Sequence, residues 1–221
     1  MLLNELFAFV LVLLSLGSIW KDVTKVFLPK LKNERTFQHL TFAVIFALTT
    51  LWSAQASVKE GLAIHFLALT TLTLMYGWRS AYALSIVVST ILAIIGTIEF
   101  SQLPEYLLFS CLLPIWVSYA VFLLSYRFLP RNIFVFIFVA GFFNGAITGS
   151  THLLFNSLYI AWHGTYDWPT IVDNYLVFVP LLAFPEGLLN GMSLAMFSVF
   201  KPEWLRVFSD RDYIYNHYHK K

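Results

Sequence analysis

Apolar residues in this chain come in long blocks separated by short polar breaks. Crossing a hydrocarbon layer takes about 20 apolar residues in a helix. Seven blocks approach or exceed that length: Leu6–Trp20, Leu40–Ala54, Leu62–Gly77, Ala81–Ile98, Tyr106–Leu129, Ile133–Ile160 and Ile171–Phe200. The third and fourth are divided at Gly77-Trp78-Arg79-Ser80, where an arginine is costly in lipid and a glycine permits a turn. Glu5 stands where a signal peptide would carry Lys or Arg, so the first block reads as a retained helix. The expected fold is an all-α integral membrane protein: a single bundle of seven transmembrane helices over residues 1–221. Two polar pieces accompany it, at about residues 21–39 and 201–221. No linker, low-complexity tract or internal repeat divides the chain, and the paired interrupted segments of inverted-repeat transporters are not visible.

Composition supports the membrane reading. The chain is 59% hydrophobic and 12% charged, whereas soluble domains are roughly 45–50% apolar and about 25% charged. Cys111 is the lone cysteine, which excludes an internal disulfide framework and a Cys-rich metal knuckle. A net charge of +2 gives no case for nucleic acid.

The placement of the basic residues sets the expected orientation. With seven spans, Lys21, Lys25, Lys30, Lys32, Arg35, Arg79, Arg127, Arg131, Lys201, Arg206, Arg211, Lys220 and Lys221 fall on one side, and only Lys59 falls on the other. Basic loops stay in the cytoplasm, so the N-terminus is expected outside and the C-terminus inside. The signatures of a P-loop, a G-x-S-x-G elbow and an H-E-x-x-H helix are absent, so no ATP site and no enzyme activity is expected of this chain.

The polar residues within the apolar blocks carry the functional signal. In the sixth span Gly141, Gly145 and Gly149 recur every four residues, a smooth ridge for close helix packing. Asn144, Thr148 and His152 recur at the same interval, one position away, as a polar stripe suited to interhelical hydrogen bonding or to a polar interior. His65 lies near the outer end of the third span, His152 in the outer half of the sixth, and the amino group of Met1 on the same side. These groups are expected to converge in an outward-facing pocket. Ionisable residues within a membrane mark functional pathways, and imidazoles suit nickel, cobalt, zinc and copper. A hydrogen-bonded structural role for either histidine is the alternative. In the last span Glu186 and Asn190 share one face, flanked by Pro180, Pro185, Gly187 and Gly191, which predicts a broken segment. Glu186 is open to several readings: neutral and locking two helices, paired with a histidine, bonded to the sixth span, or supporting a cavity as a carboxylate.

Several stretches resemble the CbiM/NikM family, the membrane substrate-capture subunits of energy-coupling factor (ECF) transporters for cobalt and nickel. They are Leu51-Trp52-Ser53 on to His65 and Gly77-Trp78, Leu129-Pro130-Arg131-Asn132-Ile133-Phe134, Phe184-Pro185-Glu186-Gly187-Leu188-Leu189-Asn190-Gly191, and Lys201-Pro202-Glu203-Trp204. The likeness covers most of the chain and is strongest to a proteobacterial branch. It implies seven helices with the N-terminus outside, residence in the bacterial inner membrane, a transmembrane coupling subunit as partner, and two cytoplasmic ATPases. His65 matches the family's metal-binding histidine and Glu186 the glutamate of its last-helix Glu-Gly-Leu motif. Family members begin Met-His and use that second residue as a ligand, whereas this chain begins Met1-Leu2-Leu3-Asn4. His152, Cys111 or a loop residue would have to substitute, or the cargo differs.

The leading expectation is a subunit that captures a transition-metal ion, cobalt or nickel first and zinc or copper next. His65, His152 and Met1 would ligate, and Glu186, Asn190, Asn144 and Thr148 would support the cavity. Two other readings use the same residues: a membrane subunit that binds haem or quinone, and an assembly protein that kept the fold and lost the metal.

Overall fold

A computed structural model describes residues 3–59 and 61–215; Met1 lies outside them. Helix α1 (Leu3–Asp22) leads through a π-helical turn into α2 (Leu28–Asn33) and then α3 (Arg35–Ser53). A small antiparallel ribbon follows, β1 (Ala56–Ser57) with β2 (Ala63–Ile64), pairing Ala56 with Ile64 and Ser57 with Ala63. Next come α4 (Leu69–Tyr76) and α5 (Trp78–Ile94). Two long helical runs follow, α6 (Phe100–Phe128) and α7 (Ile133–His163), each with a π-helical stretch, Tyr106–Leu112 and Phe136–Phe143. A third run holds α8 (Trp168–Asn174) and α9 (Val179–Phe200), and α10 (Asp210–Tyr213) closes the described chain.

The distribution of side chains is that of a protein in lipid. Large apolar residues cover the outside, among them Phe46, Phe128, Phe200 and Met192, each about 70% exposed. The interior holds Thr70, Ser85, Ser118, Asn144, Thr148, Glu186 and Asn190, fully buried. The runs Phe100–Phe128, Ile133–His163 and Trp168–Phe200 are long and apolar enough to cross a membrane.

The third expected span, Leu62–Gly77, is not one helix. Only α4 is helical; residues 65–68 form a non-helical approach that ends at Ala68, whose φ of 52° is left-handed. Hydropathy reports that Leu62–Ala68 is apolar around His65 but not that its main chain turns. Such irregular backbone survives at membrane depth only where protein satisfies its polar groups. The opposite correction applies to the last span, where α9 runs unbroken through Pro185. The interruption lies earlier, between α8 and α9, and Pro180 falls in the first turn of α9, where no helical N–H is needed.

Helix α4 is buried along its whole length and packs against α5, α6, α7 and α9. Its C-terminal end is closed by Gly77, whose φ of 77° a side chain would strain and whose N–H reaches Thr73 O at 2.8 Å. Arg206 completes that end: its main-chain N–H reaches Met75 O at 3.2 Å and its Nη1 reaches Tyr76 O at 2.9 Å. The same guanidinium pairs with Asp22 at 3.3 Å, and Ser80 donates to that carboxylate at 3.1 Å. The ends of α1 and α4, the start of α5 and the segment beyond α9 therefore meet at one face. A cation beside the last carbonyls of α4 also complements the helix dipole.

Helices α7 and α9 approach at their glycines. A Cβ on Gly145 would stand 2.8 Å from Asn190 Cβ, one on Gly149 2.9 Å from Glu186 Cγ, and one on Gly141 3.2 Å from Gly191 Cα. From the other side, a Cβ on Gly187 would stand 2.8 Å from the main-chain oxygen of Phe142. A backbone oxygen cannot yield as a side chain can, so Gly187→Ala is expected to destabilise by about 1–3 kcal/mol. Gly17→Ala is the control, since no atom lies within 4 Å of the added carbon. Thermal unfolding in detergent should show a lower midpoint for the first substitution and an unchanged one for the second.

Candidate functional site

The site is assembled on the non-helical approach to α4. The amides of Leu67 and Ala68 donate to Glu186 Oε2 and Oε1 at 3.0 and 2.7 Å. Asn190 Nδ2 adds a third donor to Oε1 at 3.0 Å and also holds the Glu186 main-chain oxygen at 2.8 Å. Three N–H groups converging on two oxygens suit an acceptor-only carboxylate. Successive main-chain amides that grip one anion form a nest. Asn190 Oδ1 then accepts from both the N–H and the Oγ1 of Thr71 at 2.8 Å, capping the first turn of α4 from another helix. Trp52 Nε1 donates to Leu67 O at 2.9 Å. Glu186, Asn190 and Trp52 thus fix the segment that carries His65.

These contacts choose among the readings left open for Glu186. Among the described residues it bonds neither a histidine nor the polar stripe of the sixth span; the main chain of residues 67–68 and Asn190 take it. Free N–H groups on a bent backbone offer a carboxylate stronger hydrogen bonds than hydroxyls already used elsewhere. Asn144 and Thr148 belong to a separate closed circuit. Ser118 Oγ donates to Thr70 Oγ1 at 3.0 Å, Thr70 to Thr148 Oγ1 at 3.1 Å, Thr148 to Asn144 Oδ1 at 3.3 Å, and Asn144 Nδ2 to Ser118 O at 3.0 Å. It ties α4, α6 and α7 below the histidines. Gly141, Gly145 and Gly149 supply the close approach that lets Asn190 and Glu186 reach inward.

His65 and His152 come together, with ring centroids 5.4 Å apart and planes at 73°. His65 is 5% exposed and His152 1% exposed. Each ring is held through one nitrogen: His65 Nε2 lies 2.9 Å from Tyr106 Oη, and His152 Nδ1 lies 3.1 Å from Asn156 Nδ2. The other nitrogens, His65 Nδ1 and His152 Nε2, have no hydrogen-bond partner among the described residues. Buried polar atoms are nearly always paired, so an unpaired nitrogen on each of two neighbouring buried rings is unusual for a packed interior. The two rings are not equivalent. An amide nitrogen can only donate, so Asn156 leaves the proton of neutral His152 on Nε2. For Nε2 to present a lone pair, Nδ1 would have to take the proton and Asn156 present its oxygen instead.

Tyr106, Trp52 and Asn156 were missed from the sequence. Asn156 continues the four-residue interval of Asn144, Thr148 and His152, a signal that was available; Tyr106 had none. Cys111 is buried with its sulfur 3.9 Å from Ser89 Oγ. Among the described residues no three His, Cys, Asp or Glu side chains stand close enough to share one ion.

In Glu186→Gln one carboxylate oxygen becomes an NH₂ facing N–H donors. One of the Leu67 and Ala68 amides then has no acceptor, a loss of about 1–3 kcal/mol. Faster hydrogen exchange at residues 67–71 and a lower thermal midpoint are the expected outcomes; unchanged exchange would remove Glu186 from this role.

Comparison with known proteins follows this geometry. The family model for the cobalt uptake substrate-specific transmembrane region matches residues 3–204. Among solved structures, one described as a truncated transition metal transporter superposes with a TM-score of 0.72 at 12% identity, covering 89% of this chain and 93% of its own. At that identity the likeness is one of fold. No curated protein matches.

Proposed function

We propose that this chain, which belongs to the CbiM family of cobalt-uptake transmembrane regions, is the ion-capturing subunit of an ECF-type transition-metal importer. It is a multi-pass helical membrane protein and a component of metal uptake. In our reading it is a single seven-helix domain in the bacterial inner membrane, with the N-terminus outside. The meeting of Asp22, Tyr76 and Arg206 at one face supports that alternation of helix ends. Capture would occur at the opposite end, where His65 and His152 stand. A transmembrane coupling subunit and cytoplasmic ATPases would complete the system, since no ATP-binding motif is present here.

One observation carries the reading: two buried, adjacent imidazoles, each tethered through one nitrogen and unpaired at the other. His65 is the first ligand. His152 joins after its tautomer changes, and the amino group of Met1 is the further donor. Glu186 and Asn190 hold the ligand-bearing segment, and Asn144 and Thr148 close the packing beneath it. Cobalt or nickel is the cargo class, with zinc and copper as further candidates. Family membership favours this reading over haem or quinone binding and over a purely structural role.

The test is metal binding to purified protein in detergent, wild type against His65→Ala, with cobalt, nickel, zinc and copper. One ion per chain is expected for the wild type, and at least a tenfold weaker affinity after the substitution. Identical stoichiometry and affinity in the two proteins would sink the assignment.

A further inference from the structure

The capture reading leaves open which nitrogen of His65 meets the ion and what fixes that choice. The side chain placed to decide it is Tyr106, at the start of the π-helical stretch Tyr106–Leu112 of α6. Its ring lies nearly parallel to that of His65, at 16°, with centroids 6.0 Å apart. Its hydroxyl reaches His65 Nε2 at 2.9 Å. Trp52 stands edge-on to both rings, 6.3 Å from His65 and 6.1 Å from Tyr106. Trp52 is itself anchored to Leu67 O, two residues from His65. The three rings form a compact triangle that holds the imidazole on one side, and Nδ1 is its unoccupied edge.

A phenol hydroxyl both donates and accepts, so the bond between Tyr106 and Nε2 has two forms. When the hydroxyl donates, a neutral ring carries its proton on Nδ1 and offers a cation nothing. When Nε2–H donates to the phenol oxygen, Nδ1 presents a bare lone pair. An arriving cation binds only the second form. Metal-bound histidines characteristically donate their other N–H to an oxygen acceptor, which fixes ring and tautomer.

Resting on the capture reading above, we propose that Tyr106 is a positioning residue. Its phenol oxygen accepts a hydrogen bond from His65 Nε2–H, holds the ring plane, and makes Nδ1 the ligating nitrogen. Phenylalanine at this position would keep the aromatic contact but remove the acceptor, so either nitrogen could then carry the proton. No residue described on the other side of the ring replaces it, because Nδ1 has no partner.

The experiment compares zinc, cobalt and nickel binding to wild type, Tyr106→Phe and His65→Ala, with ¹⁵N-imidazole NMR of the zinc-loaded proteins and thermal unfolding of each. Wild type should ligate through His65 Nδ1, with the proton on Nε2. Tyr106→Phe should bind roughly 10–100-fold more weakly at a similar melting temperature, with ligation no longer confined to Nδ1. Equal affinity and unchanged Nδ1 ligation in Tyr106→Phe would overturn the positioning role while leaving metal capture intact. A wild type that binds none of zinc, cobalt and nickel better than His65→Ala does would overturn capture and this role together. If Tyr106→Phe does not fold, fluorotyrosine incorporated at Tyr106 keeps the ring and makes the hydroxyl a stronger donor to Nε2. Zinc binding should then weaken, and an unchanged affinity would overturn the proposal.

Discussion

The amides of Leu67 and Ala68 sit on bent backbone in a lipid-facing protein, with no strand or helix to receive them, and Glu186 supplies the missing acceptors. Each side of this contact would be unfavourable alone. An unpaired buried amide loses the hydrogen bond it would make to water, and an unpaired buried carboxylate costs far more. Together they satisfy one another across a sequence separation of more than a hundred residues. The joint does more than neutralise a cost. It holds open the turn at Ala68, which in turn places His65 outside the helix and beside His152 and Tyr106.

Close helix packing is what lets this joint form. Glu186 and Asn190 reach the start of α4 because Gly145 and Gly149 present no side chain to α9. Two consecutive four-residue patterns, one of glycines on α7 and one of Glu186 and Asn190 on α9, therefore act as one device. The far end of α4 is treated in the same way with opposite charge, by Arg206 against the carbonyls of Met75 and Tyr76. An eight-residue helix has little stability of its own. Here hydrogen-bond acceptors from Glu186 and Asn190 at its N-terminus and a guanidinium at its C-terminus satisfy the end groups, and burial on every side does the rest.

Much of this was legible in the sequence, because hydropathy and four-residue spacing are properties of local chain. Most helical segments lie where the apolar blocks fall, the glycine ridge could be read as a packing surface, and His65 and His152 could be paired by depth. The helical break at Gly77 was also visible, since a glycine and an arginine interrupt the block there. The unwinding of Leu62–Ala68 was not. That segment is apolar apart from His65, and the acceptors that satisfy its bend lie in Glu186 and Asn190, far along the chain. Main-chain N–H groups carry no residue signature, so the partner of Glu186 was sought among side chains and found among amides. Tyr106 escaped for a related reason: one aromatic residue among many has no spacing that sets it apart.

The geometry also bears on how an ion could be both held and given up. A transport site must bind firmly enough to capture its ion and loosely enough to release it. Four ligands on rigid helices would serve the first need and hinder the second. Here His65 is carried by an irregular segment whose position depends on hydrogen bonds to α9 and to Trp52, not on a continuous helix. Nε2 of His152 would offer a lone pair only after its proton moved to Nδ1 and Asn156 turned its amide. On the capture reading proposed above, the second ligand would then be conditional on the first ion contact. Binding and local rearrangement would become one event, and an ion that lost His65 would leave His152 free to return to its hydrogen bond with Asn156. An arrangement of this kind would trade static affinity for reversibility, which suits a site whose cargo must be passed on.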